Sequence, residues 1–203
     1  GPRQAATDAA EELVNERRLV YMSHNLSPYF SEGMKAASYE ITEVLDDNID
    51  HVVLPVGNGS LLIGMVRGYQ ELVEAGVVSR VPKFHGVQAH AVRPVVAALN
   101  GEDWSQDDVE PTNASGIAVS KPPRLVEMVE AIRSTNGSGV TVSEESLTEW
   151  QTRLAVSEGV FAEMTSAGAF AGLVELINSG VIERDSNVCV PITGSGLKEP
   201  LKK

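Results

Sequence analysis

"HVVLPVGNGSLLIGMVRGYQELV", residues 51–73, changes its period in the middle. HVVLPV (51–56) reads as a strand buried on both faces, with its apolar run continuous from Val52. From Leu61 the apolar side chains fall at Leu61, Leu62, Met65, Val66, Tyr69, Leu72 and Val73. That spacing is helical, and Gly76 is placed to end the helix. Gly57, Asn58, Gly59 and Ser60 make the join. A loop this poor in side chains lets backbone N–H groups approach a ligand closely. It also opens a helix, whose first N–H groups lack internal acceptors and favour an anion. Two readings stand: a phosphate cradle, or a tight turn that holds nothing. The loop follows a strand, at the end where open α/β sheets bind ligands. It is not a dinucleotide fingerprint, because Leu62 stands where G-x-G-x-x-G needs its third glycine.

The elements on either side extend the pattern. Residues 4–18 predict a helix, 18–23 (RLVYMS) a short strand, 25–33 a loop broken by Pro28 and Gly33, and 32–45 a helix. FHGVQA (84–89) predicts a strand, and the acidic stretch 100–115 a polar loop. GIAV (116–119) is strand-like, 122–135 a helix with proline near its start, and GVTV (139–142) a strand. Ser143 caps a helix whose first turn holds Glu144 and Glu145. GVFAE (159–163), the helix 165–180 and NVCVPIT (187–193) complete the chain. Strands and helices alternate, which predicts an α/β fold with a mostly parallel sheet flanked by helices. The Ala- and Gly-rich stretch 165–176 reads as a tightly packed core helix. The natural seam is at 46–50, DDNID.

The 203 residues carry 16 basic and 28 acidic side chains, a formal charge of −12. That balance disfavours nucleic acid and anionic membrane surfaces as partners. A single cysteine, Cys189, excludes an internal disulfide and points to a reducing compartment. No apolar run is long enough for a membrane span, and the polar N-terminal stretch is no secretory signal, so a cytoplasmic protein is expected. The four histidines (His24, His51, His85 and His90) show no i, i+4 pairing and Cys189 has no C-x-x-C partner, so no metal site is expected. The 102–110 acidic loop lacks the alternation of a calcium loop. Thr193, Gly194, Ser195 and Gly196 form a second glycine-polar loop after a strand, on the same side of the sheet or as a simple C-terminal turn. Ser195 is no nucleophile elbow, since Thr193 stands where glycine is needed.

The ordered segments VLPVGNGSLLIGMVRGYQEL, GVQA, GVFAEMTSAGAFAGL and PITGSGLKEP resemble threonine synthase and its relatives. These are pyridoxal-phosphate enzymes of the tryptophan-synthase-β type, fold type II. The resemblance covers nearly the whole chain. It implies that Gly57, Asn58, Gly59, Ser60 and the Leu61 N–H hold the cofactor's 5′-phosphate. It implies that the Thr193 hydroxyl meets the pyridine nitrogen, a milder electron sink than an acidic partner would give. Glu163 and Ser166 match an E-x-x-S segment near the cofactor, and Gly116 a strand beside the ring. His24 and Asn25 face the substrate or lie on loop surface. By the same resemblance, residues 1–45 are the end of a small substrate-side domain and 46–203 the large cofactor domain.

Two departures from the family pattern are present. The lysine that carries the cofactor belongs to a Ser-x-Lys-like motif upstream, and none of Lys35, Lys83, Lys121, Lys198, Lys202 and Lys203 stands in that context. The chain is therefore expected to be the C-terminal part of such an enzyme and inactive alone, with no catalytic residue to assign. Phe30 occupies the position of an arginine that would clamp a substrate phosphate, and an aromatic ring cannot replace guanidinium there. The function implied is a lyase that turns O-phosphohomoserine and water into threonine and phosphate. The alternatives are a serine/threonine dehydratase or other amino-acid ammonia-lyase, and a non-catalytic cofactor-domain fragment. A small amino-acid substrate and a homodimer are the expected partners.

Overall fold

The computed structural model describes residues 3–198. The helices α1 (Arg3–Arg17), α2 (Pro28–Gly33) and α3 (Ala36–Leu45) come first. They are followed by β1 (His51–Pro55), α4 (Ser60–Glu74), β2 (Lys83–Ala89), α5 (Pro94–Asn100) and α6 (Leu125–Ser134). The chain then forms β3 (Gly139–Val142), α7 (Glu144–Glu158), α8 (Met164–Asn178) and β4 (Val188–Cys189). The four strands make one parallel sheet in the order β3-β2-β1-β4. This is the α/β architecture that the alternation predicts.

Alternating side chains of β1, continued by Val56 just after it, divide the core. Val52, Leu54 and Val56 join Phe84 on one face, packed with Leu62, Met65 and Tyr69 of α4 and Met128 and Ile132 of α6. Val53 joins Val87 and Ala89 on the other, packed with Leu147 of α7 and Ala171 and Leu176 of α8. Each such side chain contributes about 1.5–3 kcal/mol by leaving water, which explains why β1 reads as an apolar run. The Ala/Gly composition of α8 allows close approach: a Cβ at Gly172 would lie 2.5 Å from a Val87 methyl. On the other face, α4 meets the N-terminal helices as closely. A Cβ at Gly64 would lie 2.6 Å from the Ser31 carbonyl oxygen, and the Ser38 hydroxyl donates to the Met65 carbonyl at 2.8 Å.

Several local expectations do not survive. RLVYMS forms no strand; Val20 and Met22 are 82% and 88% exposed, and no described strand pairs with this segment. β-propensity records how well a side chain packs on a sheet, and it does nothing without a neighbour. The loop expected at 25–33 contains α2, with Pro28 at its first turn, where the missing N–H costs nothing. GIAV is a 3₁₀ turn, Ser115–Ile117. GVFAE is a turn out of Gly159 (φ +69°) whose Ala162 makes a single antiparallel bridge to Ser195. The last strand is only Val188–Cys189, and α6 starts at Leu125, past both prolines. The helix α5 was not foreseen; buried Gln88 accepts the N–H groups of Val95 and Val96 in its first turn, a cap supplied by another element. Ser143 caps α7 as predicted, accepting the Ser146 N–H at 3.2 Å. Glu199, Pro200, Lys202 and Lys203 lie outside the described residues.

Candidate active-site cavity

The 57–60 loop leaves the C-terminal end of β1 and enters α4. Gly59 has φ +81°, the left-handed region, and a Cβ there would also sit 2.3 Å from Met128 Cγ and Sδ. Gly57 passes against the 115–117 turn, where a Cβ would lie 2.7 Å from the Gly116 carbonyl oxygen. The first backbone bond inside the helix runs from the Ile63 N–H to the Gly59 carbonyl at 2.9 Å. Among the described hydrogen bonds, none engages the N–H groups of Asn58 to Leu62. The Ser60 hydroxyl is buried with no partner. Free donors at the start of a 15-residue helix favour an anion there.

A cavity of about 270 Å³ opens over this loop. Its lining includes Gly57, Asn58, Gly59, Ser60 and Leu61 from the loop, Gly116 from the turn, and Glu163 and Thr193 from the C-terminal third. His24, Asn25 and Phe30 line it from the N-terminal segment, with the His24 and Phe30 rings 5.1 Å apart between centroids. The structure thus brings ten of the candidate site residues to one cavity. Ser166, the remaining candidate, is fully buried behind Thr193 and hydrogen-bonded to it at 2.7 Å. Asn25 and Asn58 also border a second cavity of about 370 Å³ that reaches Ser120 and Lys121. A larger groove on α7 is lined by Glu144, Glu145, Thr148, Glu149, Thr152 and Arg153 and holds none of the candidate site residues.

Pro55, Leu62, Ile117 and Thr165 complete the lining and were not singled out from the sequence. Thr165 has a clear task. Its hydroxyl oxygen accepts the Gly116 N–H at 3.1 Å and so pins the turn against which Gly57 packs. The signal for it was weak: a hydroxyl in the first turn of a helix usually serves that helix itself. Thr165→Val is expected to cost about 1–2 kcal/mol in urea unfolding by leaving the Gly116 N–H unpaired, and Thr165→Ser to cost less than half of that. Equal losses would show that the Thr165 methyl, rather than the hydrogen bond, holds the turn. Glu163 is 5% exposed, and its carboxylate pairs with Lys198 Nζ at 2.6 Å and lies 3.4 Å from Thr193 Oγ1. Among the described lysines none lines the cavity. No group of three or more His, Cys, Asp or Glu side chains among the described residues is placed to hold a metal ion, and no described helix is long and apolar enough to cross a membrane.

The chain that carries this loop and cavity is similar in sequence and in fold to known proteins. The chain is 33% identical over 198 residues to threonine synthase of Methanocaldococcus jannaschii, covering 96% of this chain and 49% of that protein. It is 32% identical over 193 residues to threonine synthase of Mycobacterium tuberculosis, covering 95% and 52%. The chain spans about half the length of these curated relatives. Its fold matches the processed form of threonine deaminase isoform 2 from Solanum lycopersicum with a TM-score of 0.73, at 20% identity, over 91% of this chain and 48% of that one. Residues 1–194 match the family described as pyridoxal-phosphate dependent enzyme. With nearly the whole chain matched, and with threonine synthases above 30% identity among its relatives, the protein belongs to the pyridoxal-phosphate-dependent enzyme family.

Proposed function

We propose that this chain forms the cofactor-phosphate cradle and the ring-nitrogen side of a pyridoxal-phosphate lyase of the threonine-synthase kind. The observation that carries the reading is the run of unengaged N–H groups from Asn58 to Leu62 beside the buried, unpartnered Ser60 hydroxyl. A phosphate monoester supplies the acceptors these donors lack, and an uncompensated buried hydroxyl is costly without one. The residues present therefore fit the cofactor's phosphate end. When bound, pyridoxal phosphate supplies the electron sink for carbanionic charge on an amino-acid substrate. Gly57 and Gly59 let the loop pass under the phosphate. Thr193 offers its hydroxyl to the ring nitrogen. His24 and Asn25 bound the substrate side of the same cavity. The lysine that carries the cofactor comes, in this reading, from a segment outside these 203 residues. The complete enzyme would convert O-phosphohomoserine and water to threonine and phosphate.

Titration of the chain with pyridoxal phosphate and with pyridoxal tests the cradle. The phosphate ester is expected to bind at least about 100-fold more tightly, the worth of two charge-assisted hydrogen bonds. Equal affinities would overturn the reading. A second reading, an amino-acid ammonia-lyase, is favoured by one observation: Phe30 lines the cavity where an arginine would clamp a substrate phosphate. Product assay of the enzyme together with its lysine-bearing segment separates them. Threonine and phosphate support the first; an oxo acid and ammonia support the second.

A further inference from the structure

The hydrogen bonds around Ser166 leave one arrangement of protons. The Thr193 N–H points at Ser166 Oγ at 2.9 Å and the Gly194 N–H at 3.1 Å. A backbone N–H can only donate, so both lone pairs of that oxygen are taken. The Ser166 proton then goes to its remaining described neighbour, Thr193 Oγ1, at 2.7 Å. Thr193 Oγ1 accepts from Ser166 and keeps its own proton to give. Two acceptors compete for it: a group entering the cavity, and Glu163 Oε1. The latter is 3.4 Å away, at the weak limit of a hydrogen bond. The other oxygen of Glu163 is engaged by Lys198 Nζ at 2.6 Å.

We propose that Lys198 is a positioning residue for the cofactor's ring nitrogen: by engaging Glu163 it leaves the Thr193 proton for that nitrogen, which stays unprotonated. This rests on the reading that Thr193 meets the ring nitrogen. A pyridine nitrogen has one lone pair, so a nitrogen that accepts from Thr193 carries no proton of its own. Without Lys198, the nearly buried Glu163 carboxylate has lost a countercharge and draws the Thr193 proton more strongly. Thr193 Oγ1 then turns a lone pair to the ring nitrogen, a stronger base than a carboxylate, and that nitrogen takes up a proton. The described titratable groups lining this cavity are Glu163 and, from the N-terminal segment, His24; Lys198 stands behind Glu163.

Nitrogen-15 NMR of the full chain with ring-labelled pyridoxal phosphate, followed against pH, reads this directly. The wild-type nitrogen is expected to be unprotonated near neutral pH. Lys198→Met is expected to raise its protonated fraction about tenfold at a given pH, the effect of one uncompensated nearby charge. Lys198→Arg should restore the wild-type titration. Glu163→Gln, alone or combined with Lys198→Met, should leave the nitrogen unprotonated. A merely structural role for Lys198 would change affinity or melting temperature and leave the nitrogen shift in place. Bound cofactor with an unchanged shift in Lys198→Met, or a protonated nitrogen in Glu163→Gln, overturns the role of Lys198 and leaves the cradle standing. A wild-type chain with no bound-nitrogen signal overturns both.

Discussion

Replacing Gly57 with alanine is expected to lower the affinity for pyridoxal phosphate by at least about 100-fold, with the sheet intact. The added methyl would lie 2.7 Å from the Gly116 carbonyl oxygen and 3.3 Å from Val119 Cγ2. A carbonyl oxygen cannot swing aside as a side chain can, and the Gly116 turn is further held by its bond to Thr165. The loop must therefore move, and its donors move with it. A hydrogen bond weakens steeply once its angle and distance drift, so the loss of two charge-assisted bonds, about 3 kcal/mol or more, is the expected scale. Gly59→Ala is a useful comparison. Its new methyl meets the flexible Met128 side chain, but φ +81° penalises any Cβ by about 1–2 kcal/mol. Calorimetric titration with pyridoxal phosphate, paired with a thermal melt, checks the prediction. Unchanged affinity in a folded Gly57→Ala chain would mean that this loop is not the phosphate site.

Acidification is expected to destabilise the chain between pH 6.5 and about 4 through a buried histidine pair at the opposite end of the sheet from the cavity. His51 Nδ1 and His85 Nε2 are 2.9 Å apart, with the two residues 5% and 0% exposed. The Ser138 N–H donates to His85 Nδ1 at 3.2 Å. Nδ1 is thus bare, the neutral ring carries its proton on Nε2, and Nε2 donates to His51. Protonating His85 would put a proton on Nδ1, which the Ser138 N–H already faces, leaving only the Ser138 hydroxyl, 2.9 Å away, to accept it. Burial, reinforced by His51 and Lys83, lowers the His85 pKa from 6.5 to about 4. Burial also lowers that of His51. The unfolded chain then binds protons that the native chain refuses, so stability falls as pH drops below 6.5 and this contribution levels off near 4. The full loss from His85 is on the order of 3 kcal/mol. The lowered carboxylates Asp47, Glu71, Glu102 and Glu145 have ordinary values of 3.8 or 4.5 and begin to contribute about one pH unit above them, so the upper part of the interval, above about 5.5, reports the histidines. Urea unfolding across this range should show a sloping limb that flattens in His85→Gln. An equally steep limb in that variant would assign the slope elsewhere.

Neither the pair nor its penalty was legible in the sequence, where His51 and His85 are 34 residues apart and met only the question of metal spacing. Parallel register sets them side by side: His51 pairs with Lys83, Val53 with His85. The strand reading of 18–23 failed for a related reason, since its β-branched and aromatic side chains find no neighbouring strand among the described residues. α5 was missed because its first-turn donors are satisfied by Gln88, a residue of another element.

The sequence by itself determined what depends on neighbours along the chain. The apolar run of β1, the helical period of α4, the glycines between them and the Ser143 cap are local, and each follows from side-chain spacing or backbone freedom within a few residues. Only the tertiary structure decided that Gly116, Glu163 and Thr193 close over the 57–60 loop, and that Thr165 pins the turn that Gly57 rests on. It alone decided the direction of the Ser166 proton, because that direction follows from counting donors and acceptors brought together across the sheet, and no spacing along the chain encodes the count.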